Sequence, residues 1–204
     1  MKTHLSIVLD RSGSMSSIRD DVIGGFNAYL DKLGGEDCTV TLYQFDNKFE
    51  VVFEGANVDS APRLSEGTFV PRGSTALLDA QSRAIIHTGE YLRGIPEDKR
   101  PEQVIFVTIT DGLENASREV SAEHVAGQIK HQTEKYEWEF VYIGANQDAF
   151  AVGTKLGVKG ANSRGYQATS AGTKGMLESL TSGTQRRLRG DRTLGFFDGG
   201  DDAA

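Results

Sequence analysis

The sequence predicts a three-layer α/β domain, in which helices cover both faces of a central, mostly parallel sheet with one antiparallel edge strand. Short apolar runs alternate with amphipathic segments along the chain, which is typical of strand–helix–strand units. The run 104–109 is apolar at almost every position, as expected for a central strand covered on both faces. Only Asp46, Asn47 and Lys48 separate two strand-like runs, which is too short for a parallel crossover and predicts a hairpin.

The individual elements follow from the spacing of apolar residues and from start and stop signals. Strands are predicted at 4–9, 38–45, 49–53, 104–109 and 138–143, with a short edge strand near 165–168. Helices are predicted at 18–33, 75–92, 121–133, 148–156 and 173–189. Gly34 and Gly35 end the first helix, and Ser121 is a favourable N-cap.

A length of 204 residues favours one domain with a tail. We expect the domain to span residues 1–190 and residues 191–204 to form an acidic, disordered tail. The loop 54–74 is long and rich in glycine, proline, serine and charge. Loops of this length are uncommon unless they carry a function.

Composition narrows the classes of partner and compartment. A net charge of −7 argues against nucleic acid as a partner, and no apolar run is long enough to cross a membrane. Cys38 is the single cysteine, so it has no internal disulfide partner, and we expect a buried thiol in a reducing compartment. The first strand begins too early to leave room for a signal peptide. These features favour a cytoplasmic protein without a membrane partner.

Three polar segments are expected to converge at one edge of the sheet. Asp10, Ser12 and Ser14 follow the first strand, Thr75 ends a Gly-Ser-Thr segment before a helix, and Asp111 follows the central strand. Ligands of open α/β sheets bind at the carboxyl ends of the strands. Two carboxylates and three hydroxyls are oxygen ligands that suit a hard cation such as Mg²⁺.

Each segment also has a simpler explanation. Asp-x-Ser-x-Ser suits turns and helix caps, Gly-Ser-Thr suits an N-cap, and Asp-Gly suits a turn. The metal hypothesis depends on all three occurring together in this order. Asp79, one helical turn after Thr75, either supports the Thr75 loop or is solvated. Glu114 and Asn115 either hold the loop after Asp111 or are simply polar loop residues.

At these residues the chain resembles the von Willebrand factor A domain family. Residues 10–14, Asp-Arg-Ser-Gly-Ser, match the family's Asp-x-Ser-x-Ser motif. Residues 73–77 are similar to its Gly-Gly-Thr segment, with Ser74 in place of the second glycine. Residues 110–112, Thr-Asp-Gly, match its third motif. The resemblance covers roughly residues 1–155 and the last helix.

The resemblance implies a Rossmann-like fold, in a stand-alone bacterial or phage member of the family, with a metal-ion-dependent adhesion site. Ser12, Ser14 and Thr75 would then supply hydroxyl ligands, and Asp10 and Asp111 would bind the metal directly or through water. The metal would be Mg²⁺ or Mn²⁺ in preference to Ca²⁺. It would hold an Asp or Glu side chain of a partner protein, because a cation short of negative ligands attracts a carboxylate. This function is binding and not catalysis.

Two alternatives remain open, and the sequence leaves the oligomeric state undetermined. Asp10 could be the nucleophile of a Mg²⁺-dependent phosphatase or phosphotransferase of the haloacid dehalogenase type, although Ser12 stands where that family needs an acid. The domain could also be a scaffold that binds partners without metal. The histidines are too scattered for a zinc site and are predicted to lie at the surface: His4, His87, His124 and His131.

Overall fold

The computed structural model describes residues 1–198 and contains one six-stranded sheet with helices on both faces. Its strands are β1 (Thr3–Asp10), β2 (Cys38–Phe45), β3 (Phe49–Asn57), β4 (Gln103–Thr110), β5 (Glu139–Ala145) and β6 (Ser163–Tyr166). Its α-helices are α1 (Arg19–Lys32), α2 (Leu77–Gly94), α3 (Ala122–Tyr136), α4 (Ala149–Lys155) and α5 (Ser170–Leu188). Short 3₁₀ helices cover Gly13–Ile18, Glu97–Lys99 and Gly160–Asn162.

The strand order is β3-β2-β1-β4-β5-β6. Every neighbouring pair is parallel except β2 and β3, which form the predicted antiparallel hairpin at the sheet edge. Strands β1 and β4 lie side by side at the centre, with Leu9 opposite Ile109. The predicted fold class is confirmed.

The predicted elements are present, and their ends differ by a few residues. The segment before α1 is a 3₁₀ helix, Gly13–Ile18, and β3 continues to Asn57. The last strand lies at Ser163–Tyr166, slightly before its predicted position, because Ser163 pairs with Tyr142 of β5. Helix α5 begins at Ser170, where the Thr169 side chain accepts a hydrogen bond from the Gly172 amide.

The core has one layer on each face of the sheet, which explains why β1 is buried throughout. Leu5, Ile7 and Leu9 face the layer that includes α1 and α5. Val8 faces the opposite layer, which includes α2 and α3. Both faces of β1 are covered, as expected for a central parallel strand, and its polar residues His4 and Ser6 are buried as well.

The structure differs from the disorder predicted for residues 191–198. Phe196 is 0% exposed and belongs to the α1–α5 layer. The Arg187 side chain donates hydrogen bonds to the Asp191 and Leu194 carbonyl oxygens, at 2.8 and 2.9 Å. The polar composition of the predicted tail gives no indication that Phe196 is buried in the core. The rest of the predicted tail, 199–204, lies outside the described residues.

His4 also differs from its prediction, because it is buried in β1 and not at the surface. Its Nδ1 lies 2.9 Å from the Thr39 hydroxyl, and its ring packs against Tyr91. Burial lowers the pKa of His4 to about 4. Cys38 is buried, as predicted. Within residues 1–198, no helix combines the length and the apolar character needed to cross a membrane.

We expect Phe196→Ala to destabilise the protein by about 3–5 kcal/mol, because it leaves a cavity beneath α5. Leu194→Ala is the matched control, since Leu194 is 49% exposed and its truncation should cost less than about 0.5 kcal/mol. The measurement is the free energy of unfolding in urea. Equal values for the two variants would show that residues 191–198 do not stabilise the domain.

Burial of His4 should make stability depend on pH. The folded-state pKa lies below the ordinary 6.5, so the unfolded chain takes up the proton first and stability falls as pH drops from 6.5 towards 4. Between pH 7 and 5, wild type should lose about 2 kcal/mol more than His4→Gln. The exposed His124→Gln variant should behave like wild type. A His4→Gln profile identical to wild type would contradict this assignment.

Candidate functional site

The site lies at the carboxyl ends of the two central strands. Asp10 is the last residue of β1, and Asp111 follows directly after β4. Because β1 and β4 are parallel neighbours, both carboxylates reach the same edge of the sheet. The strand pairing therefore brings together two acidic residues that lie far apart in the sequence.

Hydrogen bonds orient the Asp10 carboxylate on both sides. Its Oδ1 accepts from the Ser12 amide at 2.6 Å, and its Oδ2 accepts from the Thr110 hydroxyl at 2.6 Å. Asp10 is 0% exposed. The Thr110 hydroxyl also receives a hydrogen bond from the Gly112 amide at 3.2 Å, which couples the turn after β4 to Asp10. Thr110 belongs to the quoted Thr-Asp-Gly motif, but its contact with Asp10 was not anticipated.

The serine hydroxyls connect the first segment to Asp111. Ser14 donates a hydrogen bond from Oγ to Asp111 Oδ1 at 2.7 Å. Since this uses the Ser14 proton, the 3.1 Å contact between Ser12 Oγ and Ser14 Oγ has Ser12 as the donor. The three side chains form a continuous row of oxygen atoms. Ser12 and Asp111 are buried, whereas Ser14 is exposed and opens the row to solvent.

Thr75 reaches the same place from the loop before α2. A Cβ atom added to Gly112 would lie 3.2 Å from Thr75 Oγ1 and 3.6 Å from Ser14 Oγ. Gly112 therefore lies against both hydroxyls and leaves the space between them free of a side chain. All five predicted residues are brought together at this edge: Asp10, Ser12, Ser14, Thr75 and Asp111.

Glu114 and Asn115 hold the loop after Asp111, which decides between their two interpretations. The Thr75 amide donates to Asn115 Oδ1 at 2.9 Å, and the Asn115 amide donates to the Thr75 carbonyl oxygen at 3.1 Å. Glu114 Oε2 accepts from the Leu78 amide at 2.9 Å. Asp79 was expected either to support the Thr75 loop or to be solvated, but it supports the connection after Asp111 instead, by accepting from three of its amides: Arg118, Glu119 and Val120.

The two carboxylates are placed where their charge is unfavourable. Burial raises the pKa of Asp10 to about 6, against hydrogen bonds from Thr110 and Ser12, and the Asp111 charge adds to the rise. Burial also raises the pKa of Asp111, despite its hydrogen bond from Ser14. A bound cation would reverse this effect, because it favours the ionised form of both side chains.

The donor set fits a small hard cation. Ligand oxygens around octahedral Mg²⁺ at 2.0–2.1 Å are about 3 Å apart along each edge. In the structure, the Ser12–Ser14 and Ser14–Asp111 oxygen distances are 3.1 and 2.7 Å. Among residues 1–198, no group of three or more His, Cys, Asp or Glu side chains is arranged to hold a metal. A metal at this site would therefore rely on hydroxyl oxygens beside two carboxylates.

No protein-family profile matches the chain, and no curated protein matches it in sequence. Solved structures do match. The PilB minor pilin from Streptococcus sanguinis aligns with a TM-score of 0.67 at 12% identity, over 92% of this chain and 62% of the pilin. A von Willebrand factor type A protein from Catenulispora acidiphila aligns with a TM-score of 0.60 at 14% identity, over 90% of this chain and 42% of that protein.

The SpRpn10 VWA domain aligns with a TM-score of 0.57 at 11% identity, over 87% of this chain and 94% of that domain. This chain has a von Willebrand factor A fold. The similarity concerns the fold, since the sequences are 11–14% identical. The chain spans 62% of the pilin and 42% of the Catenulispora protein, and therefore corresponds to part of each of them.

Within this von Willebrand factor A fold, the position of Asp10 argues against the phosphatase alternative. A nucleophilic carboxylate must reach the phosphorus atom of its substrate, but Asp10 is 0% exposed and both of its oxygens accept hydrogen bonds. Ser12 is directed towards Ser14, and it offers no carboxylic acid for the leaving group. The geometry is better suited to holding a cation than to attacking a substrate.

Proposed function

We propose that the chain is a protein-binding module that uses Mg²⁺ or Mn²⁺ to hold an acidic side chain of a partner protein. The observation that carries the proposal is the row of oxygens from Ser12 through Ser14 to Asp111, with the Thr75 hydroxyl lying, like that of Ser14, against Gly112. A pilus adhesin from Lactobacillus rhamnosus GG is among the structures of similar fold, which is consistent with a binding role.

The five residues would contribute two kinds of oxygen ligand to the cation. Ser12, Ser14 and Thr75 would offer neutral oxygens, and Asp111 would offer a carboxylate oxygen. Asp10, oriented by a hydrogen bond to each of its oxygens, would add the second negative charge, directly or through water. When bound, the cation supplies a positive charge that attracts a carboxylate from outside.

The exposed side of the site determines where a partner carboxylate can approach. Ser14 and Gly13 are exposed, while Asp10, Ser12 and Thr75 are buried behind them. The hydroxyl ligands are neutral, so two protein carboxylates only balance a divalent cation and leave no excess negative charge to repel a third. Because Ser14 lies on the exposed side of the site, a partner Asp or Glu would approach the cation from that side.

The proposal is for a binding function without catalysis, with a protein partner and neither nucleic acid nor membrane. The net charge of −7 disfavours contact with phosphate backbones. We also propose a cytoplasmic location, which rests on the single thiol, Cys38, buried without a disulfide partner.

Metal binding should stabilise the wild-type protein. At about 100 times its dissociation constant, Mg²⁺ should add about 2.7 kcal/mol to the free energy of unfolding relative to chelator. For a domain of this size, this corresponds to a rise in Tm of roughly 5–10 °C. Asp111→Asn should lose most of this rise, since the amide can still accept the Ser14 hydrogen bond but carries no charge.

Asp98→Asn is the matched control for this experiment. Asp98 is exposed in the turn Glu97–Lys99, which precedes β4 and so lies at the opposite end of the sheet. Its variant should keep the full response to Mg²⁺. An unresponsive wild type, or an Asp111→Asn variant that responds like wild type, would refute the metal site.

Partner binding should need both the metal and Asp111. We expect a pull-down from host lysate to capture a specific protein with wild type in Mg²⁺, but not in chelator and not with Asp111→Ala. The Asp98→Ala variant should capture the same protein as wild type. Capture that is indifferent to chelator and to Asp111→Ala would place the binding surface elsewhere.

A further inference from the structure

Asp46 is a buried acidic residue close to the site, in the connection between β2 and β3. Its Oδ2 accepts hydrogen bonds from Arg11 Nε at 3.2 Å and from Arg72 Nε at 2.8 Å. Its Oδ1 accepts from the Lys48 amide at 2.6 Å, and its carbonyl oxygen accepts from the Ala76 amide at 3.1 Å. One side chain therefore contacts two of the three segments that carry the predicted ligands.

Arg11 attaches the first segment, because it lies between Asp10 and Ser12 in the sequence. Its side chain is buried and is directed to Asp46 and Glu50, neither of which is a predicted ligand. An orientation towards the predicted ligands would place a positive charge among them and repel a cation. Asp46 therefore holds this guanidinium in an ion pair outside the predicted ligand set.

Arg72 and Ala76 attach the second segment on either side of Thr75. The Arg72 amide also donates to the Arg11 carbonyl oxygen at 2.8 Å, and the Gly13 amide donates to the Gly73 carbonyl oxygen at 3.1 Å. The two loops are thus joined to each other and to Asp46. Gly73 has a φ of +67°, which glycine adopts at little cost, so the backbone can turn sharply where the two loops meet.

Asn47, the residue after Asp46, fits closely against the same loop. A Cβ atom added to Gly73 would lie 2.3 Å from Asn47 Oδ1, so the loop backbone approaches the β2–β3 connection without room for a side chain. This contact is independent of the ion pairs. It shows that the loop carrying Thr75 rests directly on the connection that contains Asp46.

We propose that Asp46 is a positioning residue for the metal site, which ties the Asp10–Ser14 segment and the Thr75 loop to one buried carboxylate. This inference rests on the proposed function. Without that tie, the Ser12 and Thr75 hydroxyls would have to be ordered when the cation binds, and the ordering would weaken affinity. Asp46 itself is not among the predicted ligands, and its carboxylate is bound by Arg11, Arg72 and the Lys48 amide.

The electrostatics of the network agree with this role. Burial opposes the ionised form of Asp46, but the hydrogen bonds from Arg72 and Lys48 and the charges of both arginines hold its pKa below the usual range. Asp46 therefore stays charged and paired over the physiological range of pH. A charge-assisted contact with two guanidinium groups is stronger and more directional than a neutral hydrogen bond.

The test compares two buried ion pairs at opposite ends of the molecule. Asp46→Asn keeps the shape of the side chain but removes its charge. Glu139→Gln does the same to the Arg187–Glu139 pair, which is 2.7 Å long, largely buried, and at the start of β5. Both variants should lower the metal-free stability. Only a positioning role predicts a change in the affinity of the folded protein for Mg²⁺.

The dissociation constant for Mg²⁺ is obtained from the rise in the free energy of unfolding with Mg²⁺ concentration. Asp46→Asn should weaken binding by about 10–100-fold, as is typical of residues that orient metal ligands. Glu139→Gln should stay within about twofold of wild type, because distant sites act independently.

Arg72→Gln gives a second, milder test should Asp46→Asn fail to fold. It removes the tie to the Thr75 loop but leaves Asp46 paired with Arg11, and it should weaken Mg²⁺ binding in the same direction. Unchanged Mg²⁺ affinity in the variants of Asp46 and Arg72 that fold would overturn the positioning role while the metal site stands. A wild type that gains no stability from Mg²⁺ would overturn the metal site and this inference with it.

Discussion

The parallel pairing of β1 with β4 is the constraint on which the rest of the site depends. It places the end of β1 and the turn after β4 side by side at the carboxyl ends of the strands. Asp10 and Asp111 therefore meet, although about a hundred residues separate them in the sequence. Parallel strands in this position must be covered on both faces, and this requirement produces the two-layer core. The core in turn gives the loops a rigid base.

Two buried carboxylates at one edge would ordinarily destabilise a fold. The protein offsets part of that cost by hydrogen bonds from Thr110 and Ser14, and the guanidinium of Arg11 is paired with Asp46. In the proposed function, this arrangement leaves the negative charge of Asp10 and Asp111 available for a cation. It accounts for a site that is assembled from serine and threonine hydroxyls, whose neutral oxygens add no further repulsion.

The elements, and the three polar segments that converge, could be predicted from the sequence because both depend on local signals. Strand runs, stop residues and the positions of Ser12 and Thr75 can be read within short windows. The role of Asp46 could not, since an Asp beside Asn in a hairpin connection reads as a turn residue, and its arginine partners are 35 and 26 residues away. The burial of Phe196 could not be predicted because the segment around it is rich in aspartate and glycine, and that of His4 could not because histidine is found both buried and exposed.

The central claim is that a single divalent cation binds among these oxygens. Crystals grown with Mn²⁺, measured at an X-ray wavelength near the manganese edge, would locate the metal directly by its anomalous scattering. The account predicts one strong peak within coordination distance of the Ser12, Ser14 and Asp111 oxygens, with Thr75 beside it, and no such peak in crystals of Asp111→Asn. A manganese peak elsewhere on the molecule, or none in the wild-type crystals, would contradict it.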